Sequence, residues 1–150
     1  MSDSPMLKVL IVEDEALLAM DIESMVEDAG HSVVGEAASV REVTQLPADI
    51  RPTLALVDIQ LDEGSNGIDA SAIIKDRWPD AAVVFVTANP TKVPEDFAGA
   101  HGVISKPFSR NGLVRAIRYL EEAIFTPPPV STETGSLKVS PVMAAEWERD

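Results

Sequence analysis

Leu54–Asp58 reads Leu-Ala-Leu-Val-Asp, four apolar residues that stop on a carboxylate. A run this short and this apolar suits a strand buried on both faces of a parallel sheet. An acid where such a strand stops sits at the carboxyl edge, where open α/β sheets place their chemistry. The flanking sequence fits that frame. Leu7–Val12 is a first strand and ends in Glu13-Asp14-Glu15. From Ala16 to Ala29 apolar residues recur at Leu18, Ile22, Met25, Val26 and Ala29, a helical spacing closed by Gly30. Ser32–Ala37 is a second strand, Ser39–Leu46 a short helix closed by Pro47, and Thr53–Val57 the third strand. A helix over Ile68–Arg77 ends at Trp78-Pro79. Ala81–Val86 is a fourth strand ending at Thr87, and Gly102–Ser105 a short fifth. The last helix, Asn111–Ile124, has Leu113, Val114, Ile117, Leu120 and Ile124 on its apolar face. Strands alternating with helices argue for a parallel sheet covered on both sides. The stretch Asn89–Ala100 contains Pro90 and Pro94 and reads as a loop with at most a short helix.

The chain has 150 residues, 45% of them hydrophobic, enough for one core. The expected organisation is an arm at 1–6, a domain at 7–125, and a Pro-rich tail at 126–150 without a separate output domain. Within that tail Leu137-Lys138-Val139 reads as a short strand that could pair or dock, and Ser140-Pro141 as the start of a short helix; the alternative is a tail without fixed structure. With no cysteine, disulfides and thiolate metal sites are excluded. A net charge of −13 argues against a nucleic-acid partner. No stretch is long and apolar enough for a membrane span, and the N-terminus lacks a signal-peptide pattern, so a cytoplasmic location is expected.

Four features fall at the ends of different strands: Glu13 and Asp14, Asp58, Thr87, and Lys106-Pro107. In a parallel sheet these ends share one edge. Three carboxylates brought together repel and raise one another's pKa values. A hard cation such as Mg²⁺ relieves the conflict. With a hydroxyl and an ammonium opposite, the set describes a receptor for a phosphoryl group with a carboxylate nucleophile. Taken singly, each has a plainer reading: acids favoured at a helix N-terminus, a Thr in a turn, a solvated Lys, a capping Asp. Their coincidence on one edge favours the site. A Rossmann nucleotide domain is disfavoured because no Gly-rich loop follows the first strand. A phosphohydrolase with an aspartyl nucleophile usually needs a second acid two residues on, where Gln60 stands.

At these residues the chain resembles the receiver domain of two-component response regulators. The resemblance rests on Val-Leu-Ile-Val-Glu-Asp-Glu at 9–15, Leu-Val-Asp at 56–58, Val-Thr-Ala at 86–88 and Ser-Lys-Pro-Phe at 105–108. It implies a flavodoxin-like, doubly wound, five-stranded parallel sheet of order 2-1-3-4-5. It implies that Asp58 accepts a phosphoryl group from a sensor histidine kinase or a histidine phosphotransfer protein. Asp14 and Asp58 would bind Mg²⁺ with the backbone carbonyl of Gln60, and Glu13 would act through water. Thr87 corresponds to the switch hydroxyl, Lys106 to the phosphate-pairing lysine, and Pro107 to the residue after a cis peptide bond. The protein would then be no enzyme beyond its own phosphorylation and dephosphorylation. A receiver-like scaffold that works without phosphorylation is the alternative.

The sequence departs from the family pattern in three places. The loop after Asp58 has Asp62 where proline is usual, and Gly67 falls one residue late. The interval from Thr87 to Lys106 is short, so the fourth helix is expected to be shortened or absent. Val103 replaces the aromatic that usually relays the switch. The Ile-Gln-Leu loop and the proline-containing segment resemble atypical receivers of alphaproteobacterial stress responses, where Gln60 and Asn89 would tune phosphoryl lifetime.

Overall fold

The computed structural model describes residues 6–61, 66–88, 93, 99–127 and 137–139. Five parallel strands, β1 (Lys8–Val12), β2 (Ser32–Ala37), β3 (Leu54–Asp58), β4 (Ala82–Thr87) and β5 (Gly102–Ser105), are joined at one edge by a short sixth, β6 (Leu137–Val139). The order is β2-β1-β3-β4-β5-β6, with β6 antiparallel to β5. Helices α1 (Ala16–Asp28), α2 (Val40–Gln45), α3 (Gly67–Arg77) and α4 (Arg110–Phe125), and a 3₁₀ turn at Ala48–Ile50, complete the described elements.

Alternation along the strands builds two apolar layers. Val9, Ile11, Leu54, Leu56, Val84, Val86 and Ile104 pack against α1 and α4. Leu10, Val12, Ala55, Val57, Val83, Phe85 and Val103 form the other layer, with α2 and α3. Every residue of β3 and β4 is buried, as strands covered on both faces require.

Helix ends follow from local chemistry. Ser39 caps α2 by accepting from Glu42 N–H at 3.2 Å, while the Glu42 carboxylate accepts from Ala38 N–H at 2.8 Å. Asn66 caps α3 through Ile68 N–H at 2.7 Å, and Ser109 caps α4 through Gly112 N–H at 2.9 Å. The α2 C-terminus is closed from outside: Arg77 donates to the carbonyls of Val43 and Leu46 at 2.7 and 2.6 Å and stacks over Trp78. Leu7 falls outside β1, because its N–H donates to His31 Nδ1 at 3.0 Å; His31 Nε2 lies 3.0 Å from Glu121 on α4.

The five parallel strands stand in the expected order 2-1-3-4-5, and the Leu137–Val139 segment adds a sixth, antiparallel strand beside β5. Leu137 and Val139 are buried in the α1/α4 layer, and Lys138 faces outward. Burying two such side chains is worth about 1.5–3 kcal/mol each. Fixing three residues of backbone costs about 1–2 kcal/mol each. These nearly cancel, so the ladder to β5 decides the pairing. Among the described residues no helix stands between β4 and β5. The expected fourth-helix segment falls largely outside them, as do Asn89, Asp62 and the Ser140-Pro141 start.

The end of β3 and the start of α3 lie in close contact. Gly67 N–H donates to Ile59 carbonyl at 2.8 Å, and Gln60 bridges Asn66. A Cβ on Gly67 would run into the carbonyl of Asp58 and lie 2.7 Å from Ile59 Cα. Both obstacles are backbone and cannot swing away. Gly67→Ala is therefore expected to destabilise the fold by about 2–3 kcal/mol, read as a lower urea midpoint with an unchanged slope.

Candidate functional site

The carboxyl ends of β1, β3 and β5 deliver the predicted residues to one place. Asp58 ends β3 and is buried; its Oδ1 accepts from Gln60 N–H at 3.0 Å. Its Oδ2 lies 3.1 Å from Lys106 Nζ. The same ammonium lies 3.1 Å from Glu13 Oε1, and Glu13 Oε2 accepts from Glu15 N–H at 3.1 Å. Lys106 thus bridges acids from two strands. Glu13, Asp14 and Asp58 each place a carboxylate oxygen within 4.8 Å of the others. Asp14 is half-buried, nearer solvent than its two neighbours. A cavity of about 290 Å³ opens over this cluster, lined by Asp14, Asp58, Gln60, Leu61, Ala88 and Lys106. Hard oxygen donors at this spacing, open to water on one side, fit Mg²⁺.

Burial is the largest influence on Glu13 and pushes its pKa up to about 7; the charge of Asp58 adds to this, and the Glu15 N–H and Lys106 hold it back. For Lys106 burial works downward, but its hydrogen bonds to Glu13 and Asp58 and their charges together prevail, and its pKa stands above the ordinary lysine value. The ammonium is therefore charged throughout the neutral range.

Two further residues singled out in the sequence, Thr87 and Val103, are both enclosed. Thr87 ends β4, next to β3, but is 2% exposed and does not line the cavity; Ala88 forms the wall there. Its carbonyl accepts from Lys106 N–H at 2.8 Å, so Thr87 and Lys106 are tied through the backbone. Val103 is packed in the α2/α3 layer in register with Phe85, a core position. The Lys106–Pro107 peptide bond is cis. Sequence reasoning missed the Glu13–Lys106 pair and the wall residues Leu61 and Ala88. Lysine charge and acid spacing do not announce which acid a side chain from a distant strand will choose.

Residues 9–118 match the response regulator receiver domain. The chemotaxis protein CheY of Thermotoga maritima is 34% identical over 113 residues, which cover 73% of this chain and 93% of CheY. The phyllosphere-induced regulator PhyR of Methylorubrum extorquens is 42% identical over 86 residues, 57% of this chain and 32% of PhyR. The solution structure of the Erythrobacter litoralis PhyR receiver domain matches with a TM-score of 0.70 and 32% identity, covering 87% of this chain and 100% of that one. The chain spans about a third of the length of PhyR and 54% of the transcriptional regulatory protein PdtaR of Mycobacterium tuberculosis. No helix among the described residues is long and apolar enough to cross a membrane.

The raised pKa of Glu13 has a consequence for stability. The folded state holds this proton more tightly than the unfolded chain, so the contribution is full below about pH 4.5 and is lost as pH rises through about 7. Glu13→Gln carries no such proton. Without divalent metal, its stability relative to wild type should rise by about 1–3 kcal/mol between pH 4 and pH 8, measured by urea unfolding in EDTA.

Proposed function

The chain belongs to the family of response regulator receiver domains, and we propose that it works as a phosphoacceptor through Asp58. The donor is a phosphohistidine of a sensor histidine kinase or a histidine phosphotransfer protein. An oxygen of Asp58 bonds to phosphorus as the N–P bond breaks, and the imidazole leaves with the electron pair. The observation that carries this reading is the environment of Asp58: one oxygen on a backbone N–H, the other on Lys106, within a cluster of three acids. An aspartate that merely capped a turn would need neither the lysine nor the other acids.

Asp14 and Asp58 would hold Mg²⁺ with the backbone carbonyl of Gln60, and Glu13 would reach it through water. When bound, the ion supplies positive charge beside the oxygens of the phosphoryl group. Lys106, already within hydrogen-bond distance of Asp58, pairs with the oxygens that Asp58 gains. Thr87 starts buried while Ala88 lines the cavity, so a turn of Thr87 toward the cavity is the conformational part of the switch. With Val103 locked in the core, that turn proceeds without an aromatic partner at 103. Gln60 is exposed beside the cavity, where it and Asn89 would set the lifetime of the acyl phosphate.

Exposed apolar side chains next to the site support a protein partner. Leu17 and Met20 on α1 are 78% and 61% exposed. An apolar groove of about 340 Å³ lies between Leu18, Ala88, Pro107 and Phe108. PhyR of Bartonella quintana is described as an anti-anti-sigma factor, and a further PhyR as a stress response regulator. We extend that role to this chain as signalling in a stress response by protein contact. A second reading, binding without phosphorylation, draws on the pairing that Lys106 already gives Glu13 and Asp58.

Incubation with acetyl phosphate and Mg²⁺, followed by intact-mass analysis, separates these readings. Wild type should gain one phosphoryl group per chain, Asp58→Asn none, and EDTA should abolish uptake. Lys106→Ala should slow uptake about tenfold or more, on the order of 1.4 kcal/mol of barrier. A wild type that takes up no phosphoryl group would leave the phosphorylation-independent scaffold standing.

A further inference from the structure

Lys106 follows directly on β5, so its position is inherited from that strand. β5 has four residues and pairs with β4 on one side and β6 on the other. The pairing with β6 is close: Gly102 opposes Val139, Val103 opposes Lys138, and Ile104 opposes Leu137. A Cβ on Gly102 would lie 3.0 Å from the Lys138 carbonyl and 3.2 Å from a Leu137 methyl, so the lack of a side chain at 102 fits β5 to this neighbour. Leu137 and Val139 enter the same apolar layer as Ile104 and α4. The other site residues are anchored differently. Glu13 and Asp14 follow β1, and Asp58 ends β3, both interior strands of the sheet. Of the strands that carry the site, β5 is the one whose outer flank rests on the tail.

We propose that Leu137 and Val139 are positioning residues for Lys106: seated on β5, they hold the strand that aims its ammonium at Asp58. Phosphoryl uptake therefore depends on a segment beyond α4 that touches no reacting atom. The inference rests on the phosphoacceptor reading of Asp58. It also makes a claim about Lys106 that stands apart from phosphorylation.

The test uses the full-length protein. Leu137→Glu puts a charge in the apolar layer and unseats β6 from the tail side. Gly102→Val unseats it from the β5 side, which guards against a fault peculiar to one variant. Hydrogen exchange at residues 102–104 and 137–139 reports the unseating. Uptake from acetyl phosphate with Mg²⁺ is expected to slow about 3–10-fold in both variants, and the affinity for Mg²⁺ alone, measured by calorimetry, not to fall. In a Lys106→Ala background Leu137→Glu should add nothing, the signature of two residues acting as one. In NMR spectra the Lys106 amide and ammonium should shift, and the Asp14 amide should not. Val43→Ala, a buried change on α2, serves as a control for general loosening and should leave uptake as it is. The proposal is overturned by unseating that leaves uptake unchanged, by Mg²⁺ affinity falling in step, or by effects that multiply in the Lys106→Ala background. If wild type itself takes up no phosphoryl group, the phosphoacceptor reading fails; the Lys106 resonances then still decide whether β6 positions the lysine.

Discussion

One ammonium, 3.1 Å from each of two buried carboxylates, is the constraint on which this site depends. Glu13, Asp14 and Asp58 stand close enough to repel one another, and two of them are almost wholly withdrawn from water. Charge buried in that way is tolerated when it is paired and hydrogen-bonded, and removing one partner is costly. Lys106 supplies the pairing, and backbone N–H groups of Glu15 and Gln60 supply the rest. The lysine is 93 positions from Glu13 and 48 from Asp58. No local element can create that arrangement; it requires β1, β3 and β5 side by side with their ends aligned. The parallel sheet is thus a precondition of the site's charge balance.

Much of this is legible in the sequence, and the reason is periodicity. Apolar runs of five or six residues alternating with helical spacing fix the order of elements. Because parallel strands share a direction, any residue at a strand's end is assigned to the same edge. Asp58, Asp14 and Lys106 follow from that rule with no knowledge of contacts. What escapes the rule is whatever depends on a choice between neighbours. Leu7 leaves β1 because His31, brought round by a turn, takes its N–H. Glu13 pairs with Lys106 although its acidic neighbour Asp14 is the one open to solvent. A three-residue apolar-polar-apolar segment reads equally well as a strand or as loose tail, because its pairing energy barely exceeds its ordering cost.

Val103 illustrates a different limit. The absence of an aromatic at that position is plain in the sequence, but its physical meaning comes from the packing. The side chain closes the layer that also contains Phe85 and Ala100. Such layers are dense, and their members move by discrete repacking rather than by drift. A valine there leaves no ring to swing between an inner and an outer position. Thr87, two strand positions past Phe85, is itself enclosed. The backbone hydrogen bond from Lys106 N–H to the Thr87 carbonyl joins the ends of β4 and β5 beside the cavity.

The sixth strand also bears on how the molecule stays apart from its neighbours. β5 carries Gly-Val-Ile-Ser, and an apolar edge of that kind with bare amides and carbonyls is a template for aggregation. β6 covers it and turns the charged Lys138 outward, a feature that discourages further strand addition. A fragment cut at the end of α4 would keep every residue of the acidic site and most of the apolar core. It would also uncover that edge, so a boundary drawn from the site motifs alone would leave bare strand amides and carbonyls where β6 now pairs.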